Sequence, residues 1–264
     1  MLLGVCADPV HGPALARAGF DFLELHVQNH LRTMEAEPAA FEPALAAIRS
    51  AGLPCLAANC FLPSSLKVTG PDVDWASLSA YVRRAFERAQ RAGIRTIVFG
   101  SGGARRIPDG FDRDRAWAQL VRFGRMIGPL AADHDVLVAV EPLNRSLGAC
   151  NILTSVEESA RYVREVGHPA VRLLVDAYHW TLDGDSVEAI IGAADLIRHV
   201  HVATVAHRLP PGFEPCDFSA FFEALRVGGY DGPISIEAQW EDVVVQAEEA
   251  LHHLRALVGG AASN

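Results

Sequence analysis

The sequence predicts a single α/β domain folded as a (β/α)8 TIM barrel. Three observations predict it. Eight short β-rich runs alternate with eight stretches of helical pattern along the 264 residues. The runs are continuously apolar, which means burial on both faces, as in a parallel sheet covered by helices. No linker, low-complexity tract or shift of composition divides the chain, so residues 1–264 read as one barrel.

The elements follow in order. "LLGVC" precedes a helix near 12–18, "FDFLELHV" one near 38–51, and "LPCLAANCFL" one near 74–92. "IRTIVFG" leads into 112–133, "VLVAVE" into 154–167 and "VRLLVD" into 185–193. "IRHVHVA" leads into 217–228 and "PISIE" into 242–257. Asp74, Asp112, Thr154 (with Glu157 three residues on) and Asp217 stand where helix N-caps belong. Gly52, Gly93 and Gly167 stand where helices should stop, since glycine accepts the left-handed conformation that ends them. An open doubly wound sheet is the alternative fold. Against it, the first turn "CADPVHGPA" has no GxGxxG fingerprint, and "FGSGGARR" carries glycines without a Walker lysine.

Composition excludes several classes. A formal net charge of -9 disfavours a phosphate-backbone binder, so no nucleic-acid partner is expected. The five cysteines, Cys6, Cys55, Cys60, Cys150 and Cys216, are scattered without a CxxC pair. That suggests neither a zinc knuckle nor a disulfide framework, and a reducing, cytoplasmic setting is expected. "MLLGVCADPVHG" has no basic leader region, and no apolar run approaches membrane-spanning length, so no membrane partner is expected.

The chemistry lies at the strand ends. "VLVAVE" finishes on Glu141, "VRLLVD" on Asp176 and "PISIE" on Glu237, while "IRHVHVA" carries His201 close to its end. Singly, each is an ordinary strand end meeting solvent or capping a helix. Four consecutive strands delivering such groups to one barrel rim, where barrel enzymes keep their active sites, is not ordinary. Three crowded carboxylates repel one another unless a cation neutralises them. One divalent metal ion held by three oxygens and an imidazole meets that need. Oxygen-rich ligation points to Mn²⁺, with Mg²⁺, Co²⁺ or Zn²⁺ as alternatives, although Zn²⁺ usually prefers more nitrogen or sulfur.

The elements "VEPLNR", "CNIL", "LLVDAYHW", "HVHVA" and "YDGPISIE" resemble the sugar isomerase/epimerase group of xylose-isomerase-like TIM barrels. That group includes ketose 3-epimerases, hydroxypyruvate isomerase and inosose dehydratases. The resemblance implies metal ligation by Glu141, Asp176, His201 and Glu237, with Glu141 and Glu237 as catalytic acid and base. It implies abstraction of the proton α to a carbonyl and its return through a metal-stabilised enediolate. The partner it implies is a small carbohydrate, and a homo-oligomer is in keeping with it; the lack of a convincing phosphate cradle in the sequence favours a free sugar over a phosphorylated one.

Further site residues follow the same motifs. His179, three after Asp176, resembles a substrate-hydroxyl ligand, and Arg208, seven after His201, a substrate contact. Asn144 would hold Glu141, Arg145 would pair with a rim carboxylate, and His207 is a further candidate. Glu24, His26, Asn59 and Phe61 would line the same mouth, and Trp180, Phe213 and Trp240 would stand near the rim. Ketose epimerases carry a second glutamate six residues after the first; here that position is Leu147, and Asn151 is a candidate replacement. Three rival readings remain. A dehydratase of a keto-cyclitol or sugar acid would use the same metal and base. A zinc AP endonuclease would need a late DxH pair where this chain reads "PCDFSAF". A non-catalytic sugar-binding barrel would keep the fold without turnover.

Overall fold

The computed structural model describes residues 1–146, 148 and 150–260. In chain order, β1 (Leu3–Cys6) leads to α1 (Gly12–Ala18), and β2 (Phe22–His26) to α2 (Val27–His30) and α3 (Glu42–Arg49). β3 (Cys55–Asn59) leads to α4 (Trp75–Ala92), and β4 (Thr96–Phe99) to α5 (Gly102–Arg105) and α6 (Arg113–Asp133). β5 (Leu137–Val140) leads to α7 (Val156–Val166), and β6 (Val171–Asp176) to α8 (Ala177–Asp183) and α9 (Val187–Gly192). β7 (Ile197–Val202) and α10 (Ser219–Val227) precede β8 (Ile234–Ile236) and α11 (Val243–Val258). All neighbouring strands pair in parallel, and β8 pairs with β1 to close the barrel. The expected TIM barrel is therefore the fold.

Local signals work as the sequence suggests at most helix ends. Asp74 accepts from the amides of Ala76 and Ser77, and Asp112 from that of Arg115. Gly93 and Gly167 end α4 and α7 with φ of 81° and 69°. The box at α7 is shifted by one residue: Ser155 caps the Glu158 amide, and Glu158 reaches back to the Thr154 amide. α3 ends at Arg49, so Gly52 turns the loop beyond it. α8 was not expected from the sequence; it begins directly at the end of β6, with Asp176 as its cap.

Side-chain alternation explains where the site sits. Leu23 and Leu25, Val138 and Val140, Leu173 and Val175, Val200 and Val202, and Ile234 and Ile236 join the large core that includes the helices. Their strand neighbours must then face the barrel interior. Val98, Ala139 and Leu174 form a separate small apolar cluster there. β2, β7 and β8 instead carry polar residues inward: Glu24, His199, His201 and Ser235, each at most 1% exposed. Register irregularities at Leu23/Glu24 and Leu173/Leu174 adjust which residues of β2 and β6 meet their neighbours, as bulges beside active sites commonly do.

Candidate active site

Alternation carries the inward faces of β5, β6, β7 and β8 out to Glu141, Asp176, His201 and Glu237. One ligand atom from each of these four lies within 4.8 Å of every other. His201 Nδ1 stands 3.3 Å from both Glu141 Oε1 and Glu237 Oε2. Asp176 and His201 are register partners on adjacent strands. Asp176 divides its oxygens: Oδ1 accepts from the Tyr178 amide at 2.7 Å, while buried Oδ2 has no hydrogen-bond partner among the described residues.

Other side chains hold this cluster. The Asn59 amide donates to Glu237 Oε1 at 2.7 Å. The Arg208 guanidinium pairs with Glu237 Oε2, lies 3.6 Å from Asp176 Oδ2, and covers the Tyr178 ring at 4.7 Å. His179 Nδ1 accepts from the Asn144 backbone amide at 3.1 Å, so a neutral ring carries its proton on Nε2, 3.8 Å from Asp176 Oδ2. Arg105 is wholly buried and donates to the carbonyls of Phe99, Glu141 and Leu153, tying the ends of β4 and β5 to the following loop. Gly100 gives Glu141 its room, since a Cβ there would collide with Glu141 Oε2.

The electrostatics are those of a site short of positive charge. Burial, reinforced by Glu237, raises the Glu141 pKa above its ordinary value. Burial acts the same way on Glu237, but His201 and Arg208 outweigh it and hold that carboxyl below the ordinary carboxylate range. Burial disfavours a charged His201, yet Glu24, Glu237 and Glu141 push it well above the usual imidazole range. The cluster therefore attracts a proton or a cation. A buried Asp176 oxygen that accepts no hydrogen bond among the described residues, beside two glutamates and an imidazole nitrogen, suits a divalent metal.

The sequence pattern of the xylose isomerase-like TIM barrel family matches residues 13–257. The chain belongs to that family. Among relatives within it, 3-dehydro-D-guloside 4-epimerase of Escherichia coli (strain K12) is 33% identical over 116 residues, 44% of this chain and 43% of that protein. Ketose 3-epimerase of Arthrobacter globiformis is 32% identical over 115 residues, 43% of this chain and 39% of that protein. The matched region thus spans less than half the length of either relative. The crystal structure of D-psicose 3-epimerase with D-tagatose from Clostridium cellulolyticum H10 is 20% identical and superposes with a TM-score of 0.81 over 98% of this chain and 99% of that one. At that identity the likeness concerns the fold.

The remaining expected residues of this xylose isomerase-like barrel divide into three groups. Asn59, Arg208 and His179 stand against the four-residue cluster, as described. His26 is half-buried at the end of β2, and its ring accepts from the Asn29 amide as the cap of α2. Glu24 does not line the mouth: its two oxygens lie 2.9 Å from His201 Nε2 and 2.7 Å from His199 Nε2, sealed beneath the cluster. The fields and hydrogen bonds of those histidines overcome its burial and lower its pKa strongly.

The third group is engaged elsewhere. The Asn151 carboxamide is committed to both backbone polar groups of Ile107. The Asn144 carboxamide lies 2.6 Å from His179 Nδ1, and the Arg145 side chain donates to the Thr154 hydroxyl. His207 pairs with Glu214, and Phe61 packs among Tyr81, Phe86 and Phe99. Trp180, Phe213 and Trp240 pack partly buried against the core. Leu147 lies outside the described residues. Gly100, Arg105, Tyr178 and His199 escaped sequence reasoning. His199 was the most findable, since "HVHV" puts it on the same strand face as His201.

Proposed function

We propose that the chain is a divalent-metal-dependent sugar isomerase or epimerase, with Glu141, Asp176, His201 and Glu237 as ligands of Mn²⁺. The convergence of those four donors carries this reading, and the two epimerase relatives support it. A bound divalent cation would polarise the substrate carbonyl and stabilise charge developing on its oxygen.

The chain's own residues do the rest. Glu237, held ionised by His201 and Arg208 and steadied by Asn59, takes the proton α to the carbonyl. Glu141 is placed to return one, and return from the opposite side of the carbon inverts it. His179 presents an Nε2 proton toward the site as a donor for a substrate hydroxyl. Arg208, stacked on Tyr178, anchors a neighbouring oxygen. The donor at His179 also favours one second reading: given a β-hydroxyl to protonate, the same base would serve a dehydratase.

Incubation in D₂O with ketoses, sugar acids and keto-cyclitols tests the proposal by NMR. Deuterium entering α to the carbonyl in the Mn²⁺-loaded protein is expected. Glu141→Gln and Glu237→Gln should each slow it by more than about 100-fold. A new epimer or isomer against loss of water separates the two readings. Wash-in that survives both substitutions would refute the assignment of acid and base.

A further inference from the structure

The interior of the barrel beneath the four-residue cluster holds a second polar layer that the proposed reaction does not use. Glu24 on β2 spans two imidazoles of β7, with Oε1 2.9 Å from His201 Nε2 and Oε2 2.7 Å from His199 Nε2. The two rings stand 5.1 Å apart at 81°, and Ser235 Oγ lies 3.4 Å from His199 Nε2. All four side chains are at most 1% exposed. His199 Nδ1 is buried with no hydrogen-bond partner among the described residues.

That orphan nitrogen fixes the arrangement of protons. A bare lone pair is tolerated there more readily than an unpaired N–H, so His199 keeps its proton on Nε2 and donates it to Glu24. A carboxylate only accepts, and its other oxygen faces His201 Nε2. His201 therefore also donates from Nε2, so that the neutral ring a metal ion would bind has its lone pair on Nδ1, the nitrogen that faces Glu141 and Glu237. A metal ion requires that tautomer.

We propose that Glu24, held from behind by His199, is the positioning residue that fixes the metal-ligating tautomer of His201. The inference rests on the metal-site reading. Glu24→Gln is the informative change, because a carboxamide offers one acceptor and one NH₂ where both facing rings donate. One histidine must then move its proton to Nδ1. At His199 that proton enters the partnerless pocket, and at His201 it occupies the metal-binding nitrogen.

The test is Mn²⁺ titration by calorimetry of chelator-stripped wild type and Glu24→Gln, with circular dichroism to show that both are folded. Alongside it, ¹⁵N NMR of the wild-type histidines is recorded with Zn²⁺ as a diamagnetic probe. The expected result is affinity weakened roughly 10- to 100-fold in the variant, and a His201 proton on Nε2 in the wild type. Tight Mn²⁺ binding by the wild type matched by Glu24→Gln overturns this proposal alone. Absence of Mn²⁺ binding by the wild type overturns the metal-site reading and the proposal with it. Should the variant not fold, the NMR decides: a His201 proton on Nδ1 overturns the proposal.

Discussion

At the scale of single residues, the site depends on groups that only the folded chain reveals. Gly100→Ala places a methyl against Glu141 Oε2. Because the reacting carboxylate is displaced while the barrel survives, proton wash-in should fall on the order of 10- to 100-fold with little change in the urea midpoint. Unchanged wash-in would show that Glu141 does not need this space. Arg105→Met leaves buried carbonyls of Phe99, Glu141 and Leu153 without their donor, and should cost about 3 kcal/mol in urea unfolding. The four cluster residues were legible because each stands at or close to the end of an apolar strand. Arg105 was not legible, because "SGGARR" gives no sign that its first arginine turns inward to bind carbonyls.

A residue-scale pH dependence follows from the pair Glu214 and His207. Burial works against ionised Glu214, but the Thr204 hydroxyl, the His207 amide and the His207 ring outweigh it and lower the carboxyl from 4.5 to about 2. A depressed folded-state pKa gives stability that is complete above the unfolded value and lost as pH falls through the folded one. The difference in unfolding free energy between wild type and Glu214→Gln should therefore shrink as pH falls from 4.5 toward 2. A difference independent of pH across that window would contradict the assignment.

At the scale of elements, Asp176 serves two structures at once, as the cap of α8 through Oδ1 and as a cluster oxygen through Oδ2. Asparagine caps a helix about as well as aspartate, whereas alanine costs about 1 kcal/mol. Asp176→Asn should therefore keep near-wild-type stability in chelator yet lose Mn²⁺ affinity, and Asp176→Ala should lose both. Urea unfolding beside calorimetry separates the two roles. The eight strands and the main helices were legible from apolar runs and caps. α8 was hidden because "DAYHW" offers neither a long amphipathic repeat nor a cap other than the strand's own last residue. Glu24 was misplaced for a related reason: nothing in "FLELH" says whether a polar inward residue reaches the mouth or stays in the barrel.

At the scale of the whole molecule, a cation that binds only the folded barrel must stabilise it by mass action. At about 100 times its dissociation constant the gain is about 2.7 kcal/mol. Thermal melts should move up with Mn²⁺ and return with excess chelator. Among the described residues no helix is long and apolar enough to cross a membrane. Closure of the barrel is what makes the site. Four donors far apart in sequence meet because adjacent parallel strands end at one rim, and the polar interior of β2, β7 and β8 supports them from below.

The most direct measurement is anomalous diffraction at the manganese edge from crystals grown with Mn²⁺. One peak is expected, enclosed by Glu141, Asp176, His201 and Glu237, with His201 bound through Nδ1. A map with no peak among those four residues, or with the ion held elsewhere, would contradict the metal-site reading.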